Sequence, residues 1–487
     1  MRWRKAFAPV AMRRVALLAP TETVRDVLVE VADVAAVQFD SPGQTNGASP
    51  PDDSDRPATR LLRQHPSTLP RPRLSAACPD LTWCETHDRL DLVAGEARLE
   101  AVLSAGVRHR DVTGFVGWAR ADQVQLLRAR TAPAGGALVQ LRRPAHLQPP
   151  TLLAADNPGR AFSPLVRAYA TPPYRDIDPS LLSGITYVAM FGMMFADLGH
   201  GALLLAAALC LRAGRPRKLE RLRSAWVLLA GAGLSSMLFG VLYGEFFGPT
   251  DLLPVIWLAP LEQPVSLLLA AVAIGAVLLS IAYAVGIVNR FREGGWPAAV
   301  YAPSGVAGAG AFLGLGVVSA GVYLDVTALT VGGGCLVAIC GGLVSVGFFA
   351  EAGGGATGVA QAGIELLDLL LRIGSNVVSF ARLAAFGLTH AALADVVWQG
   401  TVAAARHGLL GVSAAIVLFT VGNALAFSLE ALIAGIQALR LEYYELYSRI
   451  FLAEGEPFRP WALPVERTQI VGTNAVATPV VGTRVEA

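Results

Sequence analysis

From residue 12 onward the spacing of apolar positions changes every few residues. MRRVALLAP (12–20) reads as a short strand, TETVRDVLVEVAD (21–33) carries its apolar residues at helical spacing, and VAAVQFD (34–40) returns to strand character. Thr21 stands at the head of the helical stretch and is expected to cap it. This is the β-α-β opening of a soluble domain, with Met12 as an alternative start. Arg2, Arg4 and Lys5 give a basic beginning, but Arg13 and Arg14 interrupt any apolar core, so a secretory signal is not expected.

Residues 41–75 are rich in Pro, Ser and Asp and predict a disordered or loosely attached linker. Order is expected to resume at about 88. RLDLVAGEARLEAVLSAG and ADQVQLLRARTA read as helices, DVTGFVGWA and GALVQLRRP as strands, and a Pro-punctuated run follows to Pro179.

Beyond Pro179 the pattern is different in kind. Apolar stretches cover about 180–211, 224–247, 265–289, 299–322, 327–350, 363–399 and 408–439. Composition agrees: 54% of residues are apolar, 16% are charged, and the mean hydropathy is +0.50, which fits several membrane spans and excludes a single soluble enzyme. The 39 basic and 37 acidic residues nearly cancel, so no bulk field points to nucleic acid. Five scattered cysteines make no disulfide framework. Cys78, Cys84 and His87 have loose metal-like spacing but no fourth ligand, so no metal or cofactor is expected.

The first apolar stretch is long enough for more than one span and carries Asp197, Gly199, His200 and Gly201 at its centre. One continuous helix would bury Asp197 and His200 near mid-bilayer, at high cost. Two short helices turning at Asp197 would bring both toward the far surface. Loop charges favour the hairpin. Arg212, Arg215, Arg217, Lys218, Arg221 and Arg223 mark 212–223 as cytoplasmic, whereas 248–264 has Asp251 and Glu262 with no Lys or Arg. Arg290 and Arg292 mark the next connection as cytoplasmic again. The prediction is a multi-span α-helical membrane protein with eight helices, the last two long and tilted, and a small α/β N-terminal cytoplasmic domain. Its expected boundaries are 1–175 for that domain, 176–452 for the membrane domain and 453–487 for a cytoplasmic tail, with both termini cytoplasmic.

Two late stretches carry polar residues that a purely structural span avoids. Asp368, Ser375, Arg382 and Thr389 recur every seven residues, returning to within about 20° of one helix face. Ser379 and His390 flank that stripe. Asn423, Glu430 and Gln437 also recur every seven residues, and Arg440 and Tyr444 continue the line. Serines and threonines in such positions are commonly helix-packing groups. Arg382 and Glu430 are different, because an intramembrane guanidinium or carboxylate is costly unless solvated, paired or used for ion movement. Facing stripes that each hold an Arg and a carboxylate suggest ion conduction.

At these residues the sequence resembles the membrane stator subunit of V-type and A-type rotary ATPases, called subunit a or subunit I. The resemblance lies in SPLVRAYATPPYRDIDPS, FGMMFADLGHGALLL, GVLYGEFFG, SFARLAAFGLTHAALA and LEALIAGIQALRLEYYELYSRIFLAEGEPFRPW, and covers nearly the whole chain outside the linker and the last residues. It implies that Arg382 is the family's essential arginine and Arg440 the second, with Glu430, Asp368 and His390 in the family's carboxylate and histidine positions. It implies two half-channels, with Ser375, Ser379, Asn423 and Gln437 among their polar lining, set against a rotating proteolipid ring. The implied partners are that c-ring, peripheral stalk subunits, the soluble V1/A1 catalytic sector, membrane lipid and the translocated H⁺ or Na⁺. The implied function couples ion transport to ATP hydrolysis or ATP synthesis.

The chain departs from the family in having no long coiled-coil arms between its lobes, in Phe380-Ala381 before the arginine, and in Asp368 where Glu is usual. It has no Gly-x-x-x-x-Gly-Lys-Ser/Thr loop, so nucleotide chemistry is expected elsewhere in the complex. Two other readings remain on sequence alone, a stand-alone secondary ion transporter and a degenerate scaffold or regulatory member. The sequence leaves open the choice of ion and the direction of coupling.

Overall fold

The computed structural model describes residues 8–40, 56–64, 70–144, 147–153, 159–214, 217–250, 252–451 and 454–467. The chain forms two compact units, one of residues 10–152 with 457–487, the other of 1–9 with 153–456.

In the first unit the sheet grows from β1 (Met12–Pro20), whose Val15, Leu17 and Ala19 alternate inward. Helix α1 (Val24–Val34) buries Val24, Val27, Leu28 and Val31 on one face and ends where Ala35 turns left-handed at φ 53°. Strand β2 (Val37–Phe39) follows. Thr21 does not cap α1: the helix begins three residues later, and Thr21 Oγ1 instead lies 3.4 Å from Thr113 Oγ1.

Part of the 41–75 stretch is built into the unit. Helix α2 (Pro57–Gln64) packs on α4 (Leu90–Ala105), burying Ala58 near Leu92 and Val93, with Cys84 of α3 (Leu81–Thr86) in the same cluster. Strand β3 (Leu74–Ser75) pairs in parallel with β7 (Val465–Glu466), which brings Trp461 and Leu463 onto the core. Residues 41–55 and 65–69 of the expected linker, and 468–487 of the expected tail, lie outside the described residues.

After α4 come β4 (Val107–His109), β5 (Val112–Arg120), α5 (Val124–Thr131) and β6 (Ala137–Gln140). Strand β5 pairs antiparallel with all of β1, from Met12↔Arg120 to Pro20↔Val112. β6 takes the other edge of β1, and β2 and β4 pair with β5, giving the order β2-β5-β1-β6 with β4 off the path. The α/β segments before and after the 41–75 stretch therefore interleave in one split β-α-β sheet.

The second unit is helical. After α6 (Ser163–Tyr169) come α7 (Ser180–Met194) and α8 (Leu198–Arg212), which turn at Asp197. At 15 residues each they run about 22 Å, short of a bilayer core of about 30 Å. Then follow α9 (Trp226–Tyr243), α10 (Pro264–Tyr301), α11 (Val306–Tyr323), α12 (Thr327–Glu351), α13 (Gly355–Ser379), α14 (Ala381–Ala405) and α15 (Gly408–Leu441). Among the described residues six helical runs are long and apolar enough to cross a membrane, with α13 and α14 continuous as one of them. Helix α10 breaks at Gly295 (φ 71°), just before Pro297. Helices α13 and α14 meet at Phe380, whose N–H reaches Val377 O rather than a carbonyl four residues back.

Glycines set the closest helix contacts. A Cβ at Gly240 would lie 2.3 Å from Leu198 N and 2.6 Å from Asp197 C, so α9 can touch the α7–α8 turn only because that position is bare. The core beneath it joins Met190, Phe191, Met194 and Phe195 to Phe380, Leu383 and Tyr447.

Candidate functional site

The α7–α8 turn is built from its capping residue. Asp197 Oδ1 accepts from His200 N at 2.8 Å, which starts α8, and Oδ2 accepts from Gly248 N at 3.0 Å, which ties down the loop after α9. Asp197 and His200 are both 0% exposed. Position three of α8 points His200 toward α14, where its ring centroid lies 5.5 Å from that of His390. His390 is 2% exposed, and its Nδ1 faces Oε2 of Glu430 on α15. Asn423, two turns before Glu430 on the same helix, sits beside His200, and buried Glu245 faces His390 and Asp197. Phe195, Phe247 and Phe427 pack around the two imidazoles. Three acids and two histidines thus meet inside an apolar helical unit.

Arg382 lies two residues beyond the Phe380 junction. It borders a cavity of about 640 Å³ that Ser375, Ser379, Leu268 and Leu388 also line. Its Nη1 is buried and has no hydrogen-bond partner among the described residues. A guanidinium in that state is poised for an acceptor that arrives from elsewhere.

Below it the chain leaves α15 through a π-helical turn, Glu442–Tyr447. This turn carries Glu445, 5% exposed, whose carboxylate faces Ser379, Arg382 and Arg440. The same turn carries Glu442, fully buried, which accepts from Thr186 Oγ1 at 2.6 Å. Single π-turns inside α-helices are often found at functional sites, because the extra residue re-aims the side chains that follow.

The sequence-predicted residues therefore divide. His390 and Glu430 come together, with Asn423 close by, while Ser375, Ser379 and Arg382 share one cavity and Arg440 joins them through Glu445. Asp368 is exposed and pairs with Arg372 on its own helix, Thr389 is exposed and donates to Ala385 O, and Gln437 is half-buried with Oε1 unpartnered among the described residues. Sequence reasoning passed over Glu445, Glu442 and Glu245, and gave Asp197 and His200 only the role of a turn. The signal for the first two was present in LEYYELYS, where two carboxylates three residues apart follow Arg440 in an apolar context.

Residues 117–263 and 358–463, just over half of the chain, match the V-type ATPase 116kDa subunit family. The A-type ATP synthase subunit I of Thermococcus kodakarensis is 28% identical over 393 residues, covering 76% of this chain and 57% of that protein. The A-type ATP synthase subunit I of Aeropyrum pernix is 28% identical over 362 residues, covering 64% and 51%. The V-type ATP synthase subunit I 2 of Treponema pallidum is 38% identical over 113 residues, covering 23% and 24%. The chain thus spans about half the length of the archaeal relatives it matches. Arg382, His390, Glu430, Arg440, Asp197, His200 and Glu445 all fall within the family-matched segments.

Proposed function

The chain belongs to the V-type ATPase 116kDa subunit family, and from that premise we propose that it is the ion-translocating membrane stator of a rotary ATPase. In this reading it is a multi-pass membrane protein with eight spans, the two short helices α7 and α8 included, and with both termini cytoplasmic. It works against a rotating ring of proteolipid subunits, with peripheral stalks and a soluble catalytic sector as further partners. The similarity to A-type ATP synthase subunits I supports membership of such a complex.

The observation that carries the proposal is Arg382, whose buried Nη1 has no hydrogen-bond partner among the described residues and which borders a cavity within the apolar helical unit. A ring carboxylate travelling through lipid must be neutral, that is protonated or ion-bound. On reaching Arg382 it meets a fixed cation, which favours its charged form and expels the ion. The guanidinium does not give up its own proton, so it separates two aqueous paths without itself conducting. The Asp197–His200–His390–Glu430 cluster, with Asn423 and Glu245, is assigned to the path on one side. Glu445 with Ser379, Arg440, Ser375 and Gln437 is assigned to the path on the other. Asp368 lies at the exposed rim of the second. The stand-alone transporter reading has no specific observation in its favour, whereas the free Nη1 of Arg382 at the cavity leaves room for a carboxylate beyond that of Glu445.

The deciding experiment is ATP-driven ion pumping by the assembled complex in vesicles. Arg382→Ala should abolish pumping while the subunit still assembles, and Arg382→Lys should be severely impaired, because an ammonium can release its proton in a desolvated site. Normal coupled pumping by the Ala variant would refute the proposal.

A further inference from the structure

We infer that Asp197, His200 and His390 form a binding site for a divalent transition metal of the zinc class. One ligand atom from each of the three lies within 4.8 Å of the others. Metal–nitrogen bonds of about 2.0–2.1 Å set ligand edges of about 3.3 Å, so closing on an ion requires the ligand atoms to draw together by up to about 1.5 Å. Two imidazoles and one carboxylate are the donor set of a zinc site that keeps its fourth position open.

Hydrogen bonding independently points to a ligand. Both ring nitrogens of His200 are buried without partners among the described residues, and so is Nε2 of His390. Nδ1 of His390 is engaged by Glu430, which leaves Nε2 as the nitrogen available to an ion. A carboxylate behind a histidine is the usual outer support of a metal-bound imidazole, because it fixes the ring and raises its basicity. Asp197 is held on both oxygens by backbone N–H groups, at 2.8 Å from His200 and 3.0 Å from Gly248, so its free lone pairs are already oriented. Phe195 packs 5.7 Å from the His200 ring and 5.1 Å from the His390 ring, which limits how far either imidazole can turn away.

The inference stands on this geometry alone. It rests on the proposed function only for its consequence, that a bound metal pins α8 to α14 and occupies the ion path at His390. Binding is therefore tested without transport. The purified full-length subunit in detergent, stripped with a chelator, is titrated with Co²⁺ and then with Zn²⁺. The expected result is one Co²⁺ per chain with the strong visible absorption of four-coordinate cobalt, displaced by Zn²⁺. Glu430→Gln should weaken binding about 10- to 100-fold, and His200→Gln and His390→Gln should weaken it more. His87→Gln, an exposed histidine of the other unit, should change nothing. Zinc-edge X-ray absorption on the unmutated protein should show two imidazole nitrogens with oxygen donors, a readout that needs no variant to fold. Absence of uptake, equal affinity in the His200 and His390 variants, or a shell containing sulfur would overturn the site. None of those outcomes bears on pumping by the Arg382 variants, and normal pumping by Arg382→Ala would leave the metal titration unchanged.

Discussion

Nδ1 of His390 on α14 is held against Oε2 of Glu430 on α15, forty residues further along the chain. The contact joins the two polar stripes of the sequence at one point, inside a shell of Phe195, Phe247 and Phe427. A carboxylate and an imidazole in such contact can pass a proton between them, whereas an amide and an imidazole cannot.

Glu430→Gln keeps the size and a hydrogen bond to His390 but removes that exchange. Ion pumping in vesicles should fall about tenfold, equivalent to about 1.4 kcal/mol on the barrier, without reaching zero, because Glu245 and Asp197 remain in the same cluster. Unchanged pumping would remove Glu430 from the path, and complete loss would show that no neighbour bypasses it.

How much of this was legible in the sequence depends on where helical period held. Strands β1, β5 and β6 and helices α1, α4 and α5 lie where alternation and helical spacing put them, most cleanly in β1 and α1, which each bury mainly one face. Their merging into one sheet was not legible, since pairing of β1 with β5 joins residues about a hundred positions apart. The seven-residue repeat put Ser375 and Arg382 on one face, and both line one cavity. Asp368, on the same helix two turns before Ser375, is exposed and pairs with Arg372 one turn away. The repeat does not reach Glu445, because the π-turn after Leu441 shifts the register that straight helical counting assumes. The linker expectation missed α2, whose few apolar residues are enough only because α4 supplies the other half of the contact.

The role of Glu445 follows from its position between two arginines. Glu445→Gln leaves Ser379 a hydrogen-bonding partner but withdraws the negative charge that faces Arg382 and Arg440. Losing a buried counter-charge commonly costs several kcal/mol when the arginines cannot reach water. Arg440 is exposed and Arg382 borders the cavity, so the penalty here should fall on transport more than on assembly. The expected outcome is an assembled complex with pumping reduced about tenfold or more. A complex that fails to assemble would make Glu445 a structural counter-ion instead.

Close packing at the Asp197 turn gives a prediction with its own control. Gly240→Ala places a methyl 2.3 Å from Leu198 N, a backbone atom that cannot yield without moving the turn. Gly316→Ala, in mid-α11, meets nothing within 4 Å. Thermal unfolding of the detergent-solubilised subunit should show Gly240→Ala destabilised by about 2 kcal/mol or more, and Gly316→Ala neutral or slightly stabilised. Equal behaviour of the two would mean that α9 does not approach the turn this closely.

The last prediction concerns pH and Asp176, which precedes the first short helix. Burial, reinforced by the neighbouring charge of Glu293 and opposed by Arg290 and Arg292, pushes its carboxyl up to about 8 from an ordinary value of 3.8. No hydrogen-bond donor among the described residues holds either carboxyl oxygen, so the charged form lacks that support. The folded state therefore holds this proton over a range in which the unfolded chain has lost it. The stability it contributes is fully present below about 3.8 and is lost as pH rises through about 8. Asp176 sits in a segment tied to α10 by the bond from Ile177 N to Asn289 Oδ1 at 3.0 Å, so its ionisation should loosen that attachment. Thermal unfolding of the solubilised subunit at a series of pH values between 6 and 9 should show a decline for the natural sequence that is measurably shallower in Asp176→Asn, since the amide has no proton to lose. Parallel curves for the two proteins would show that Asp176 ionises without consequence and that its burial is not what sets its affinity for the proton.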